Sequence, residues 1–149
     1  MQNFILKWLK CNIIYSTWTF KTELMSFQVS LFSRPKYYGG IYLMIGWKMG
    51  LPAHSPAIHA DVNCKLSDMK APRKLFAFRT HTHSHGTVVT GYLFRNNKIK
   101  EIARHDPQEP QMFYPMSKEI TVNNGDYVAA RCTFNTTDEN RMVYFGTQE

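Results

Sequence analysis

The sequence predicts an all-β protein, an antiparallel β-sandwich of the jelly-roll kind. Short apolar runs recur at a spacing of roughly 8–12 residues, as they do in β-sandwiches. Prolines, glycines and asparagines separate these runs and mark turns. Aromatic residues favour strands, and the chain has ten Phe and eight Tyr among 149 residues. This length suits one domain with a core of its own.

Three strands are predicted in the first half of the chain. They cover residues 26–32 (SFQVSLF), 40–47 (GIYLMIGW) and 58–66 (IHADVNCKL). Residues 51–57 form a loop, because their two prolines cannot donate to a strand ladder. Residues 67–72 (SDMKAP) form a second loop.

Two hairpins are predicted in the second half, one joining 87–94 to 98–105 and one joining 118–122 to 127–134. The first turn contains Asn96 and Asn97, and asparagine tolerates the positive φ that tight hairpins need. The second turn is NNGD. Between the hairpins, residues 106–115 contain three prolines, which predicts an irregular, extended link.

The most informative stretch is 74–86, KLFAFRTHTHSHG, which is predicted to be a strand that turns at Gly86. Alternate side chains of a strand share a face, so one face is expected to carry an arginine and three histidines: Arg79, His81, His83 and His85. Several imidazoles on one face favour a metal site, and imidazole binds zinc, copper, iron or nickel. The remaining histidines are expected at the surface: His54, His59 and His105.

Arg79 has two interpretations. Its guanidinium forms a salt bridge at the sheet surface, or it grips a carboxylate with its planar fork beside the metal. Spacing alone favours the salt bridge. No nucleophile motif such as GxSxG occurs elsewhere, so the histidine stretch is the expected functional site.

The formal net charge is +7, but Lys and Arg are scattered without a run of four. We therefore expect a basic surface and no nucleic-acid partner. Residues 1–26 begin with an apolar stretch that Lys7 and Lys10 interrupt. No membrane span is predicted there, and the segment lacks the order of a signal peptide. A poor signal, a short helix and sequence outside the domain stay open as interpretations.

The three cysteines allow at most one internal disulfide, and no CxxC spacing suggests a zinc ribbon. Asn135 begins an N-glycosylation sequon, Asn-Thr-Thr, which matters only in a secreted protein.

Three ordered motifs resemble the copper type II, ascorbate-dependent monooxygenases. They are FAFRTHTHSHGTVVTGY (76–92), DPQEPQMFYP (106–115) and GDYVAARCTF (125–134), and they occur in the family's order at about its spacing. The proline-rich motif resembles the peptidylglycine-hydroxylating branch more than the dopamine-hydroxylating branch. The resemblance covers roughly residues 27–149, as the second, C-terminal subdomain of the family core.

The resemblance implies two antiparallel β-sandwich subdomains with one copper each, and a reaction at their interface. It implies that His81 and His83 bind the catalytic copper and that Arg79 holds the substrate's C-terminal carboxylate. The implied reaction hydroxylates the α-carbon of a C-terminal glycine in a peptide, using O₂ and ascorbate, and leads to peptide amidation. Cys64 and Cys132 match family cysteines that form disulfides. With the sequon, they imply a secreted or secretory-granule protein.

The same resemblance implies an incomplete enzyme. Residues 1–26 do not match the N-terminal copper subdomain, and the chain is expected to be truncated before the methionine ligand and the disulfide partners. His85 replaces an apolar residue of the family and is expected at the surface, with a third-ligand role as the alternative. Two other functions stay open: a non-catalytic β-sandwich paralogue, and a cupin-like metalloprotein with His-x-His on a jelly roll.

Overall fold

The computed structural model describes residues 9–15, 39–45 and 50–144, which form eight strands and no α-helix. The strands are β1 Leu9–Tyr15, β2 Gly39–Ile45, β3 Ile58–Lys65, β4 Arg73–Phe78, β5 Gly86–Arg95, β6 Lys98–His105, β7 Tyr114–Val122 and β8 Tyr127–Phe134. All of the strand pairs are antiparallel. The predicted all-β, antiparallel class is therefore confirmed. The described residues contain no helix long and apolar enough to cross a membrane.

The eight strands form three sheets. The largest is a four-stranded sheet in the order β3-β8-β5-β6, and the two smaller ones pair β4 with β7 and β1 with β2. Chain neighbours share a ladder only at β1–β2 and β5–β6. The chain therefore crosses repeatedly between the layers of a sandwich.

The core lies between the four-stranded sheet and the β4–β7 pair. Its buried cluster consists of Leu66, Leu93, Ile120, Val122 and Val128. Leu93 and Val128 come from the large sheet and Ile120 and Val122 from β7. Side chains of β2 and β4 pack against this cluster. Each fully buried aliphatic side chain contributes roughly 1.5–3 kcal/mol, so these contacts hold the two layers together.

The β5–β6 hairpin follows the sequence prediction closely. Asn96 and Asn97 have φ values of 50° and 58°, the left-handed conformation that a two-residue hairpin turn requires. The predicted strands at 40–47 and 58–66 correspond to β2 and β3, whereas the strand predicted at 26–32 lies outside the described residues.

The second predicted hairpin is wrong in its pairing. β7 pairs with β4, whereas β8 pairs with β3 and β5. The turn at Asn123–Asp126 therefore leads from one layer to the other. Turn residues report a change of direction and do not specify whether the flanking strands share a ladder. β7 also begins at Tyr114, inside the predicted link.

Asp126 joins three elements next to this turn. Its buried carboxylate accepts two hydrogen bonds from Arg95 at the end of β5, at 2.9 and 2.6 Å, and one from the backbone N–H of Asn123 at 2.7 Å. Its backbone carbonyl accepts from the N–H of Leu66, also at 2.7 Å. The hydrogen bonds from Arg95 lower the pKa of Asp126 below its ordinary value of 3.8.

We predict that Asp126→Asn lowers the free energy of unfolding by about 2 kcal/mol at pH 7, because Arg95 loses its charged acceptor. Because the native pKa is depressed, this stabilisation is present above pH 3.8 and declines as the pH falls through the native pKa. Urea unfolding at several pH values measures it. Glu101→Gln is the control, since the Glu101–Arg104 pair is exposed and contributes little. Equal stability of Asp126→Asn and wild type at pH 7 contradicts the prediction.

Candidate metal centre

The strand predicted at 74–86 ends earlier, at Phe78. The last ladder pair of β4 joins Phe78 to Tyr114, the first residue of β7. Beyond it the link before β7 is irregular and offers no strand to pair with. Residues 79–85 therefore form a connection between β4 and β5, which we call the histidine segment. It ends in a turn in which the N–H of Gly86 donates to the carbonyl of His83 at 2.9 Å.

In the first part of the histidine segment, exposed and less exposed side chains alternate as they do in a strand, although the segment is not a strand. Arg79, His81 and His83 are exposed, and Thr82 between the two histidines is buried. The first three predicted site residues thus share the solvent side. His85 leaves this pattern: it is half-buried, and its Nε2 lies 2.8 Å from Oε1 of Glu139.

The rings of His81 and His83 lie side by side, with centroids 5.6 Å apart and planes inclined at 58°. An imidazole nitrogen binds a metal at about 2 Å, so two rings on one ion have centroids no more than ~6 Å apart. The separation of the His81 and His83 rings lies within this limit. Within the described residues no group of three or more His, Cys, Asp or Glu is placed to hold a metal.

Thr82 is buried because Gly86 leaves room for it. A Cβ at Gly86 would overlap Oγ1 and Cβ of Thr82. The Thr82 hydroxyl also donates to the carbonyl of His83 at 3.1 Å. The glycine of the HTHSHG motif is thus required for close packing, and this packing leaves the neighbouring histidines outside.

The proline-rich link contacts the histidine segment through two glutamines. Nε2 of Gln108 donates to the carbonyls of His83 and Gly86, both at 3.0 Å. Oε1 of Gln111 accepts from Nη2 of Arg79 at 3.1 Å. The prolines of this link predict an irregular backbone but neither of these contacts. The repeated Pro-Gln in PQEPQ was the available signal.

Arg79 has a neutral partner. Its hydrogen bond goes to the Gln111 amide, and no ion pair among the described residues involves it. The surface salt bridge that spacing favoured is therefore not found in the described part of the chain. A guanidinium without a carboxylate partner retains the donors that a bidentate carboxylate needs.

The contacts described for the remaining histidines are with residues other than His81 and His83. His54 and His59 are exposed, with Nδ1 contacts to the Thr137 carbonyl at 3.2 Å and the Thr133 hydroxyl at 3.1 Å. The surface position predicted for His105 is wrong, because its side chain is only 14% exposed. The centroid of its ring lies 3.9 Å from that of the Tyr114 ring, and its Nδ1 donates to the Asp106 carbonyl at 2.7 Å.

The two cysteines predicted to form disulfides occupy neighbouring strands. Cys64 is buried in β3. Cys132 in β8 is a free thiol in the structure, and burial, with a smaller effect of Asp61, raises its pKa to about 11. A thiol that stays protonated is neither a nucleophile nor a metal ligand at neutral pH. A disulfide of Cys132 stays a prediction.

Residues 37–149 match the family described as copper type II ascorbate-dependent monooxygenase, C-terminal domain. The chain belongs to this family. It is 37% identical to the peptidylglycine alpha-amidating monooxygenase of Rattus norvegicus over 107 residues, which are 72% of this chain and 11% of that protein. It is 35% identical to the peptidyl-glycine alpha-amidating monooxygenase A of Xenopus laevis over 107 residues, which again cover 72% of this chain and 11% of the relative.

A relative from the second branch is also similar. The dopamine beta-hydroxylase of Canis lupus familiaris is 35% identical over 81 residues, which are 51% of this chain and 13% of that protein. The peptidylglycine relative covers 72% of this chain and the dopamine beta-hydroxylase 51%. This difference agrees with the peptidylglycine branch that the proline-rich motif indicated. The chain spans about a tenth of the length of these relatives, and it corresponds to their C-terminal monooxygenase domain.

We predict that Gly86→Ala destabilises the protein by about 1–3 kcal/mol, the usual effect of an overpacked site. The new methyl group must displace Thr82 and with it the histidine segment. Gly91→Ala in the same strand is the matched control, because a Cβ there meets its nearest atoms at an ordinary 3.5 Å. Thermal unfolding of the two variants checks this. Equal melting temperatures would contradict the packing role of Gly86.

Proposed function

We propose that this chain is the catalytic-copper domain of an ascorbate-dependent monooxygenase that hydroxylates the α-carbon of a C-terminal glycine in peptides. In this proposal His81 and His83 bind copper, and Arg79 binds the carboxylate of the glycine-extended peptide. The observation that carries it is the placement of the two imidazoles, 5.6 Å apart and exposed, on the same side of the segment as Arg79.

The donor chemistry supports copper at this pair. Imidazole is a common copper ligand, and a two-ligand set leaves positions open for O₂ and for a ligand from elsewhere. When bound, copper supplies the one-electron chemistry with which such enzymes activate O₂. The protein's own contribution is to hold the two rings together and the substrate beside them.

Arg79 orients the substrate in this scheme. A planar guanidinium binds a carboxylate through two parallel N–H···O bonds, which fixes the direction as well as the position of the group. The α-carbon of a C-terminal glycine is bonded directly to that carboxylate, so fixing one fixes the other near the histidines. Such positioning accounts for a large part of many rate enhancements.

The wider cellular setting is proposed on the same basis. Ascorbate is the reductant and O₂ the co-substrate. A second copper domain of the family kind supplies the electron that this domain does not store. The disulfide-type cysteines Cys64 and Cys132 and the sequon at Asn135 support a secretory-pathway location, secreted or in secretory granules. Residues 1–26 precede the part of the chain that matches the family, although β1 within them pairs with β2.

A non-catalytic β-sandwich is the second candidate. It is favoured by one observation, that no group of three or more ligand-type side chains occurs in the described part of the chain. In that case His81 and His83 would be exposed residues without a metal, and the domain would act only through its surface.

We predict that the purified chain binds about one copper ion and that His83→Ala removes it, because a single imidazole forms a weak site. Arg79→Ala is the matched control: it leaves copper bound but weakens binding of a peptide ending in glycine. Copper analysis after dialysis and NMR titration with the peptide measure the two effects. A peptide with an amidated C-terminus is the ligand control.

Two results would reject the monooxygenase proposal. One is a wild-type protein without copper, and the other is copper that His83→Ala does not affect. Either result would favour the non-catalytic β-sandwich.

We also predict N-glycosylation of Asn135 in secreting cells. Asn135 is exposed, and its Oδ1 accepts from the N–H and the hydroxyl of Thr137 at 2.9 and 2.7 Å. These bonds leave Nδ2, the atom to which a glycan is attached, unused. A glycosidase-sensitive mass shift checks this; Asn135→Gln should abolish the shift and Thr137→Ser should keep it. An unmodified wild type from such cells contradicts the prediction.

A further inference from the structure

The turn at the end of the histidine segment is held by one side chain from a distant part of the chain. Nε2 of Gln108 is within 3.0 Å of the carbonyls of His83 and Gly86, and 3.5 Å from the hydroxyl of Thr82. A primary amide has two N–H groups. The two carbonyls therefore take its donors, and the longer contact to Thr82 is secondary.

Gln108 is itself fixed in position. Its backbone N–H donates to Oδ1 of Asp106 at 2.9 Å, and the N–H of Glu109 donates to the Asp106 carbonyl at 3.3 Å. Pro107 between them is buried and has a restricted φ. The side chain of Gln108 thus projects from a small rigid turn, and little conformational freedom is lost when it binds the histidine segment.

The histidine segment needs such support because it lacks a strand ladder. Residues 79–85 belong to no strand, so no neighbouring strand orders their backbone. Ordering one backbone residue costs roughly 1–2 kcal/mol. The described contacts that oppose this cost include the His83–Gly86 turn, the packing of Thr82 and the two glutamines. At the end of the segment, the His85 carbonyl also accepts from the N–H of Asn135 at 2.9 Å, and the His85 ring contacts Glu139.

We infer that Gln108 is a positioning residue that holds His81 and His83 in the arrangement in which both rings bind one copper ion. This inference rests on the proposed copper site. The two short hydrogen bonds of Gln108 go to the backbone of His83 and Gly86, and the longer one goes to the Thr82 hydroxyl, so Gln108 acts on the imidazoles through the segment that carries them. Groups that orient metal ligands typically change metal affinity by 10–100-fold when they are removed.

The test compares two identical substitutions three residues apart. Gln108 acts as a donor, so Gln108→Glu removes both hydrogen bonds. It also places a carboxylate beside two carbonyl oxygens, which repel it. Gln111 acts as an acceptor from Arg79, so Gln111→Glu adds the same charge nearby but keeps its bond. Gln108→Asn is a second variant, uncharged but one methylene shorter.

The first measurement is NMR of the histidine rings in the metal-free protein, which does not depend on copper binding. We expect Gln108→Glu to shift the signals of His81 and His83 towards those of mobile histidines. The signals of His54 and His59, whose rings contact Thr137 and Thr133, should stay in place, which shows that the fold is intact. Unchanged His81 and His83 signals in both Gln108 variants overturn the inference.

The second measurement is copper affinity by competition with a chelator. We expect Gln108→Glu to weaken binding about 10–100-fold and Gln111→Glu to leave it unchanged. If the Gln108 variants bind copper as tightly as the wild type, the role of Gln108 is rejected while the proposed function stands. If the wild type binds no copper, the proposed function itself is rejected, and the copper role of Gln108 with it.

Discussion

The candidate site depends on the packing of Thr82 against Gly86. Because Gly86 has no Cβ, the threonine side chain fills the space above it and is buried. In an extended segment the side chains on either side of a buried one point the other way. The exposure of His81 and His83 therefore follows from the burial of Thr82. A strand ladder, which would normally impose this alternation, is absent at this point.

The two ends of the histidine segment are attached to different layers of the sandwich. β4 belongs to the two-stranded ladder with β7, and β5 belongs to the four-stranded sheet. The position of the segment thus depends on how firmly the layers hold each other. The buried cluster and the Asp126 carboxylate, which links Arg95 to the β7–β8 turn, provide that rigidity at the far end of β5. A site between two rigid elements is better defined than one on a free loop.

The all-β class, the β5–β6 hairpin and the shared exposure of Arg79, His81 and His83 could be predicted because each rests on a local pattern. The end of β4 at Phe78 could not, because an extended connection has the same period of two as a strand. The pairing of β7 and β8 depends on contacts with distant strands, which turn residues do not encode. Gln108 was missed because a side chain that binds a backbone far away in sequence leaves no periodic trace.

Arg79 differs from the other arginines whose partners the structure describes. Three of them form two-point hydrogen bonds with carboxylates: Arg95 with Asp126, Arg104 with Glu101, and Arg131 with Asp61. The Arg79 guanidinium contacts a neutral amide instead, so its charge is not compensated by that contact. A cation next to a metal site disfavours a second cation but attracts an anion. Holding Arg79 with an amide therefore orients the guanidinium without neutralising it, as the proposed binding of a carboxylate substrate requires.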